Sequence, residues 1–219
     1  MSRVRTRPTR GDTRAQLFEA AARIFEKQGI GAASIETVAA AAGLTRGAVY
    51  SNFANKEELI IAMLEDHAKR SLVYHHELLA RHSHPADFIA ALRATERGRR
   101  DPLGRAPLLH TELILYVARA GKRRSDLARR LRARRELIAE MVAGTTWAFG
   151  RGRIDPKWAG AMLLALEDGF RLHRLIDPDT TPSDSFIDSV AELQRLLVAP
   201  RRSSRRDTQS VSRAECLRP

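Results

Sequence analysis

The chain has 219 residues, of which 43% are hydrophobic, 29% charged and 5% aromatic, and its formal net charge is +12. That balance suits a folded globular protein with room for a substantial core, and it excludes a chain disordered throughout. One cysteine, Cys216, excludes an internal disulfide framework, and no apolar run reaches signal-peptide or membrane-spanning length, so a soluble cytoplasmic protein without a membrane partner is expected.

The positive charge sits at the ends. Residues 1–56 carry nine basic and four acidic side chains and residues 200–219 carry six and two, which leaves the long middle nearly balanced. Counterion release from a polyanion is the natural use of such ends, and DNA, RNA or an anionic membrane surface would each satisfy it. Arg3, Arg5, Arg7 and Arg10, around Pro8, read as a flexible basic arm at residues 1–10. Asp12 is placed to cap a helix whose Leu17, Ala21, Ile24 and Phe25 share a face and whose stop is Gly29. Ser34 caps a shorter helix with Ile35, Val38, Ala39 and Ala42 inward and Gly43 after it, and Thr45 caps a third that runs to about Asn52. Asn55, with Glu58 at capping-box spacing, opens a fourth in which Leu59, Ile60 and Met63 begin a new apolar face.

Beyond His67 the pattern stays helical in longer units, expected at about 85–96, 107–120, 124–149, 156–176 and 183–198. His84-Pro85, "RGRRDPLGRAP" at 97–107 and "DPDTTPSD" at 177–184 supply the breaks, and Pro156 suits a first helical turn. There is no period-two strand pattern, no glycine-rich phosphate loop and no solenoid repeat. The expected fold is all-α with about nine helices: a three-helix head at 11–56, a larger helical domain at 57–199, and a disordered basic tail at 200–219.

The stretch from Ser34 to Phe53 has the spacing of a helix-turn-helix. Gly43 permits the left-handed backbone of a tight turn, while Ala39, Leu44 and Val49 bury the junction. The second helix keeps small or polar residues outward, namely Thr45, Arg46, Gly47, Ser51 and Asn52, so its N-terminal end is free to enter a DNA major groove. Arg46 offers a fork of donors to a guanine edge, and Ser51 or Asn52 suits a base or a phosphate. The helix capped by Asn55 adds backbone N–H groups and Lys56 as a phosphate clamp.

"TRAQLFEAAARIFEKQGIGAASIETVAAAAGLTRGAVYSNFANKEELIIAML", about a quarter of the chain, resembles the N-terminal DNA-binding domain of the TetR family of transcriptional regulators. That resemblance places Thr45, Arg46, Gly47, Tyr50, Ser51, Asn52 and Lys56 at DNA-contacting positions and Ser34 where a cap also touches phosphate. Asn52 departs from the histidine usual there. The resemblance further implies a homodimer on a palindromic operator of double-stranded DNA, most often as a repressor, released when a small-molecule effector binds the C-terminal domain. No catalytic activity, cofactor or metal is implied.

By the same resemblance, the last two long helices form a four-helix bundle with the partner's. The candidates are Ala159, Met162, Leu163, Leu166, Phe170 and His173 on one helix and Phe186, Val190, Leu193, Leu196 and Leu197 on the other; part of each stripe must face the chain's own core. Candidate effector contacts are His110, Glu112, Tyr116, Met141, Trp147 and Trp158, large or polar side chains on helices able to wall a pocket. The low aromatic content argues against a broad aromatic cage. His67, His75, His76, His82 and His84 read as a solvated helix end, and "KRRSDLARRLRARRE" at 122–136 as a solvated basic face. Two alternatives stand beside the regulator: an enzyme or carrier retaining a helix-turn-helix, for which no nucleophile, base and orienter come together, and a sequence-indifferent DNA binder using the basic ends.

Overall fold

In the computed structural model, residues 9–96, 103, 106–119, 121, 124–145 and 154–198 are described. The basic arm before Thr9, the Trp147 candidate and the tail with Cys216 lie outside them. The described residues form nine long or short helices and no strand. These are α1 (Arg10–Gln28), α2 (Ile35–Ala41), α3 (Arg46–Tyr50), α4 (Lys56–Arg81), α5 (Pro85–Glu96), α6 (Pro107–Arg119), α7 (Arg124–Gly144), α8 (Pro156–Ile176) and α9 (Ser185–Val198).

Local chemistry sets the ends of the head helices. Thr9, one turn before the expected Asp12, is the cap of α1: its hydroxyl accepts from the Asp12 N–H, and the Asp12 carboxylate accepts from the Thr9 N–H. Asp12 is therefore the third-residue member of a capping box. Ser34, Thr45 and Asn55 cap α2, α3 and α4 through the N–H groups of Thr37, Ala48 and Glu58. The Glu58 carboxylate accepts from Ala54 N–H at 2.6 Å, one residue ahead of the cap. Gly29 and Gly43 take φ of 78° and 66°, the left-handed region that glycine enters without steric cost. α3 is shorter than expected, ending at Tyr50 with Ser51 as its cap.

One apolar cluster runs from the head into the body. Leu17, Phe25, Val38, Val49, Phe53, Leu59, Ile60 and Met63 pack with Leu109, Leu113 and Val117 of α6. Leu113 and Val117 are completely buried and Leu109 is 2% exposed. Each such side chain contributes about 1.5–3 kcal/mol relative to exposure, so α6 is held to the head by a shared core. The core thereby crosses the boundary expected near Lys56. A second cluster joins Leu78 of α4, Phe88, Ile89 and Leu92 of α5, and Ile187 and Val190 of α9. In a third, Val142 of α7 meets Ala159 of α8, with Leu197 of α9 against them. α7 and α8 approach closely at Gly160, where an added Cβ would lie 2.6 Å from the Arg135 carbonyl oxygen.

Candidate nucleic-acid interface and cavity

The outer face of the head is built on α3 and the residues flanking it. Thr45, Arg46, Gly47, Tyr50 and Ser51 are exposed, and the position of a Gly47 side chain is open space. Val49 and Phe53, at 1% and 2% exposure, anchor the opposite side. Arg46 is not isolated. Its guanidinium lies 5.3 Å from the Tyr50 ring centroid and 3.5 Å from Glu36 Oε1, and the Tyr50 hydroxyl donates to that same oxygen at 2.7 Å. The Tyr50 hydrogen bond, with a smaller contribution from the Arg46 charge, holds the Glu36 carboxyl below its usual range. Glu36 on α2 thus orients both side chains, a role the sequence pattern conceals because one turn of one helix meets the next only after folding.

Ser51 and Asn52 turn back to the same backbone oxygen. The Ser51 hydroxyl and the Asn52 Nδ2 donate to the Ala48 carbonyl at 2.9 and 2.8 Å, and Asn52 Oδ1 is buried without a hydrogen-bond partner among the described residues. Ser34 is half-buried, its hydroxyl shared between Thr37 N–H and the Thr37 hydroxyl. Lys56 is set deeper than the clamp expected of it. Its Nζ donates to the carbonyls of Ile30, Gly31 and Ala33 at 2.7, 3.3 and 2.8 Å, and lies 5.4 Å from the Tyr116 ring centroid. An ammonium has three donors, and the α1–α2 turn accepts all of them.

Tyr116, expected as a pocket wall, instead donates its hydroxyl to Glu57 Oε1 at 3.0 Å, and burial with this carboxylate pushes its phenol above the ordinary range. It joins α6 to the first turn of α4. Glu112 and Trp158 are exposed and line no part of the cavity described next; Trp158 is 56% exposed.

A cavity of about 1350 Å³ lies along α4 and α7, with His110 and Ile114 of α6 and Asp168 of α8 in its lining; of the expected effector contacts, His110 and Met141 reach it. Beneath it sits a network that the sequence pattern does not reveal. Glu167 takes Arg134 at 3.0 Å and Arg171 at 2.8 Å, Arg171 reaches Asp168 at 2.9 Å, and Arg171 donates to His110 Nδ1 at 3.0 Å. A guanidinium cannot accept, so the His110 proton resides on Nε2. His67, expected at a solvated helix end, is 3% exposed and stacks on His110 with centroids 4.8 Å apart.

Burial, reinforced by the charges of Arg171, His67 and Arg134, depresses the His110 pKa to about 2. A folded-state pKa below the unfolded one means that the unfolded chain gains a proton first as pH falls. From about pH 7.5 to about pH 5.5, stability is expected to drop by about 1.4 kcal/mol through this group. Urea unfolding at both pH values checks it; the slope due to His110 should vanish in His110→Gln, whose amide oxygen still accepts from Arg171.

The apolar residues expected at a dimer interface divide. Val190 is 5% exposed and packs with Phe186 in the chain's own second cluster, and Leu197 packs on Val142 and Ala159. Met162, Leu166, Phe170 and Leu193 are half-buried and His173 is exposed. Leu196, another of the candidates, is 58% exposed, and near them Leu172 and Ile176 stand 46% and 74% exposed. No described helix is long and apolar enough to cross a membrane, and no cluster of three metal-ligating side chains occurs among the described residues.

Residues 17–63 match the model of the bacterial regulatory proteins, tetR family. The chain is 30% identical over 226 residues to the HTH-type transcriptional regulator TtgR of Pseudomonas putida, a match covering 90% of this chain and 99% of that protein. It is 33% identical over 89 residues to the HTH-type transcriptional regulator AcrR of Shigella flexneri, covering 41% of this chain and 40% of that one. Among solved structures, the SmeT–triclosan complex matches with a TM-score of 0.58 at 22% identity, over 84% of this chain and 90% of that one. The reduced form of E. coli NemR gives 0.60 at 19%, over 86% and 98%. Identities this low establish the shared fold.

Proposed function

Because the chain belongs to the tetR family of bacterial regulatory proteins, we propose that this transcriptional regulator is a dimeric repressor that reads a palindromic operator and is released by a small molecule held in the α4–α7 cavity. The observation that carries the reading is the position of α6. Its Leu113 and Val117 lie in the head's core, its Tyr116 holds Glu57 at the start of α4, and its His110 and Ile114 line the cavity. A ligand that moves α6 must move the reading head. Release requires that the ligand bind the DNA-incompetent arrangement better, since equal affinity for both arrangements shifts nothing.

On DNA, Arg46 reads a base edge, with Thr45, Gly47, Tyr50 and Ser51 around it. One five-residue helix reads few base pairs, so two copies about a two-fold axis are needed for a useful site. The exposed apolar side chains on α8 and α9 supply the surface for that pairing. Asn52 and Lys56 act first within the head, ordering the end of α3 and the α1–α2 turn, and the N-terminus of α4 takes the phosphate.

The test is selection of bound duplexes from random DNA by the full chain at near-physiological salt. A palindrome is expected, and Arg46→Ala is expected to lose about 1–3 kcal/mol of discrimination at one base pair per half-site while the rest of the motif persists. Recovery of no motif, with affinity falling steeply in salt, would replace the repressor with a sequence-indifferent binder.

A further inference from the structure

The cavity's lining specifies a class of ligand. Among the described residues its apolar lining is aliphatic: Leu72, Val73, Leu131, Leu137 and Met141 are typical, and no phenylalanine, tyrosine or tryptophan is among them. Along α4 the lining runs from Ala62 to Ala80, a rise of about 27 Å at about 1.5 Å per residue. A long shallow slot of this kind matches an extended hydrocarbon better than a compact ring system, which would want aromatic faces to stack on.

Most charges of the lining are already paired, which favours an uncharged guest. Glu65 is paired with Arg130, Asp66 with Arg70 at 2.6 Å, Glu77 with Arg81 at 3.2 Å, Asp168 with Arg171 at 2.9 Å, and Arg134 with Glu167 at 3.0 Å. Arg14 lies over the rings of Phe18 and Phe53. Lys69 and Glu140, of opposite sign, are exposed, as is His76. A net charge brought to the Arg134 end of this slot would lose hydration and find the half-buried charges there, Arg134 and Asp168, already paired with Glu167 and Arg171. A neutral acceptor meets no such penalty, and there is a donor for it: Arg134 Nε is buried and has no hydrogen-bond partner among the described residues.

We propose that the cavity takes an uncharged aliphatic amphiphile, a hydrocarbon chain ending in a hydroxyl or carbonyl oxygen, with the chain along α4 and α7 and the oxygen at the Arg134 and His110 end. This rests on the reading of the cavity as the effector site and sharpens it to a chemical class.

Calorimetric titration of the full chain with decan-1-ol, decanoate, decyltrimethylammonium and naphthol tests it. Decan-1-ol is expected to bind at least tenfold more tightly than the other three. Leu137→Glu, at a position 46% exposed and so tolerant of change, is expected to weaken decan-1-ol at least tenfold while its melting temperature shows the chain folded. Leu108→Glu, 56% exposed and outside the cavity, is expected to bind as the parent does. Tighter or equal binding of a charged or aromatic probe, binding of none of the four, or an unchanged affinity in folded Leu137→Glu would overturn the assignment. The operator complex separates the two readings. Decan-1-ol that binds without releasing DNA would sink the effector role and leave the pocket chemistry standing; a charged or aromatic probe that binds and releases DNA would do the reverse.

Discussion

Lys56→Met is expected to destabilise the protein by about 2–3 kcal/mol, because it keeps the aliphatic stem and removes the one group that satisfies three carbonyls of the α1–α2 turn. Hydrogen bonds from a charged donor contribute more than neutral ones, and partial exposure of the site lets water replace part of the loss. For a chain of this size the melting temperature should fall by roughly 4–12 °C. Thermal unfolding alongside DNA titration distinguishes this from the phosphate contact that the family pattern suggests. A pure phosphate contact would leave the melting temperature where it was, weaken all DNA sequences alike and flatten the salt dependence. An unchanged melting temperature would therefore remove Lys56 from the architecture of the head and return it to the DNA surface.

The second large effect is expected at Gly160→Ala. In open space, alanine in a helix interior is favoured over glycine by about 1 kcal/mol. Here the new carbon would sit 2.6 Å from the Arg135 carbonyl oxygen and 3.0 Å from the Ala139 nitrogen, both backbone atoms of α7 that cannot swing aside. The helices must separate, and overpacking of this kind outweighs the propensity gain, for a net loss of about 2 kcal/mol. α8 also carries Glu167, Asp168 and Arg171, so separation should loosen their hold on Arg134 and His110. Gly169→Ala, on the same helix with nothing within 4 Å of the added carbon, is the control and should hold or gain stability. Denaturant midpoints of the two variants give the answer; a Gly160→Ala protein as stable as its parent would show that α7 and α8 can slide apart at no cost.

The features legible beforehand are those written in neighbouring residues. Ser34, Thr45 and Asn55 cap helices through a side chain and an N–H three residues on, and Gly29 and Gly43 take the backbone that only glycine adopts freely. Asp12 is legible as part of a cap but not as its third member, since Thr9 and Asp12 suit either role until the backbone chooses. Elsewhere the chemistry is less local. Lys56 meets Ile30, Tyr116 meets Glu57, Arg134 meets Glu167 and Arg171 meets His110 across separations of 26, 59, 33 and 61 residues. Nothing in either partner's immediate neighbourhood names the other. His67 illustrates the cost: its flanking histidines suggest solvent, and only the packing of α6 against α4 buries it. Of the expected effector contacts, chosen as large or polar side chains on helices, His110 and Met141 line the cavity; which helix face turns toward the void is settled by its neighbours.

The shared cluster that joins Phe25 and Val49 to Leu113 and Val117 has a consequence for anyone wishing to rewire such a regulator. A chimera that exchanges the first 56 residues for those of a relative would cut through the middle of an interior rather than along a seam. The transplanted segment would meet an α6 surface shaped for different side chains, and the junction between head and body would have to repack. Portability therefore demands that the graft travel with the inward residues of α6, and that drift on either side of this junction be matched by drift on the other.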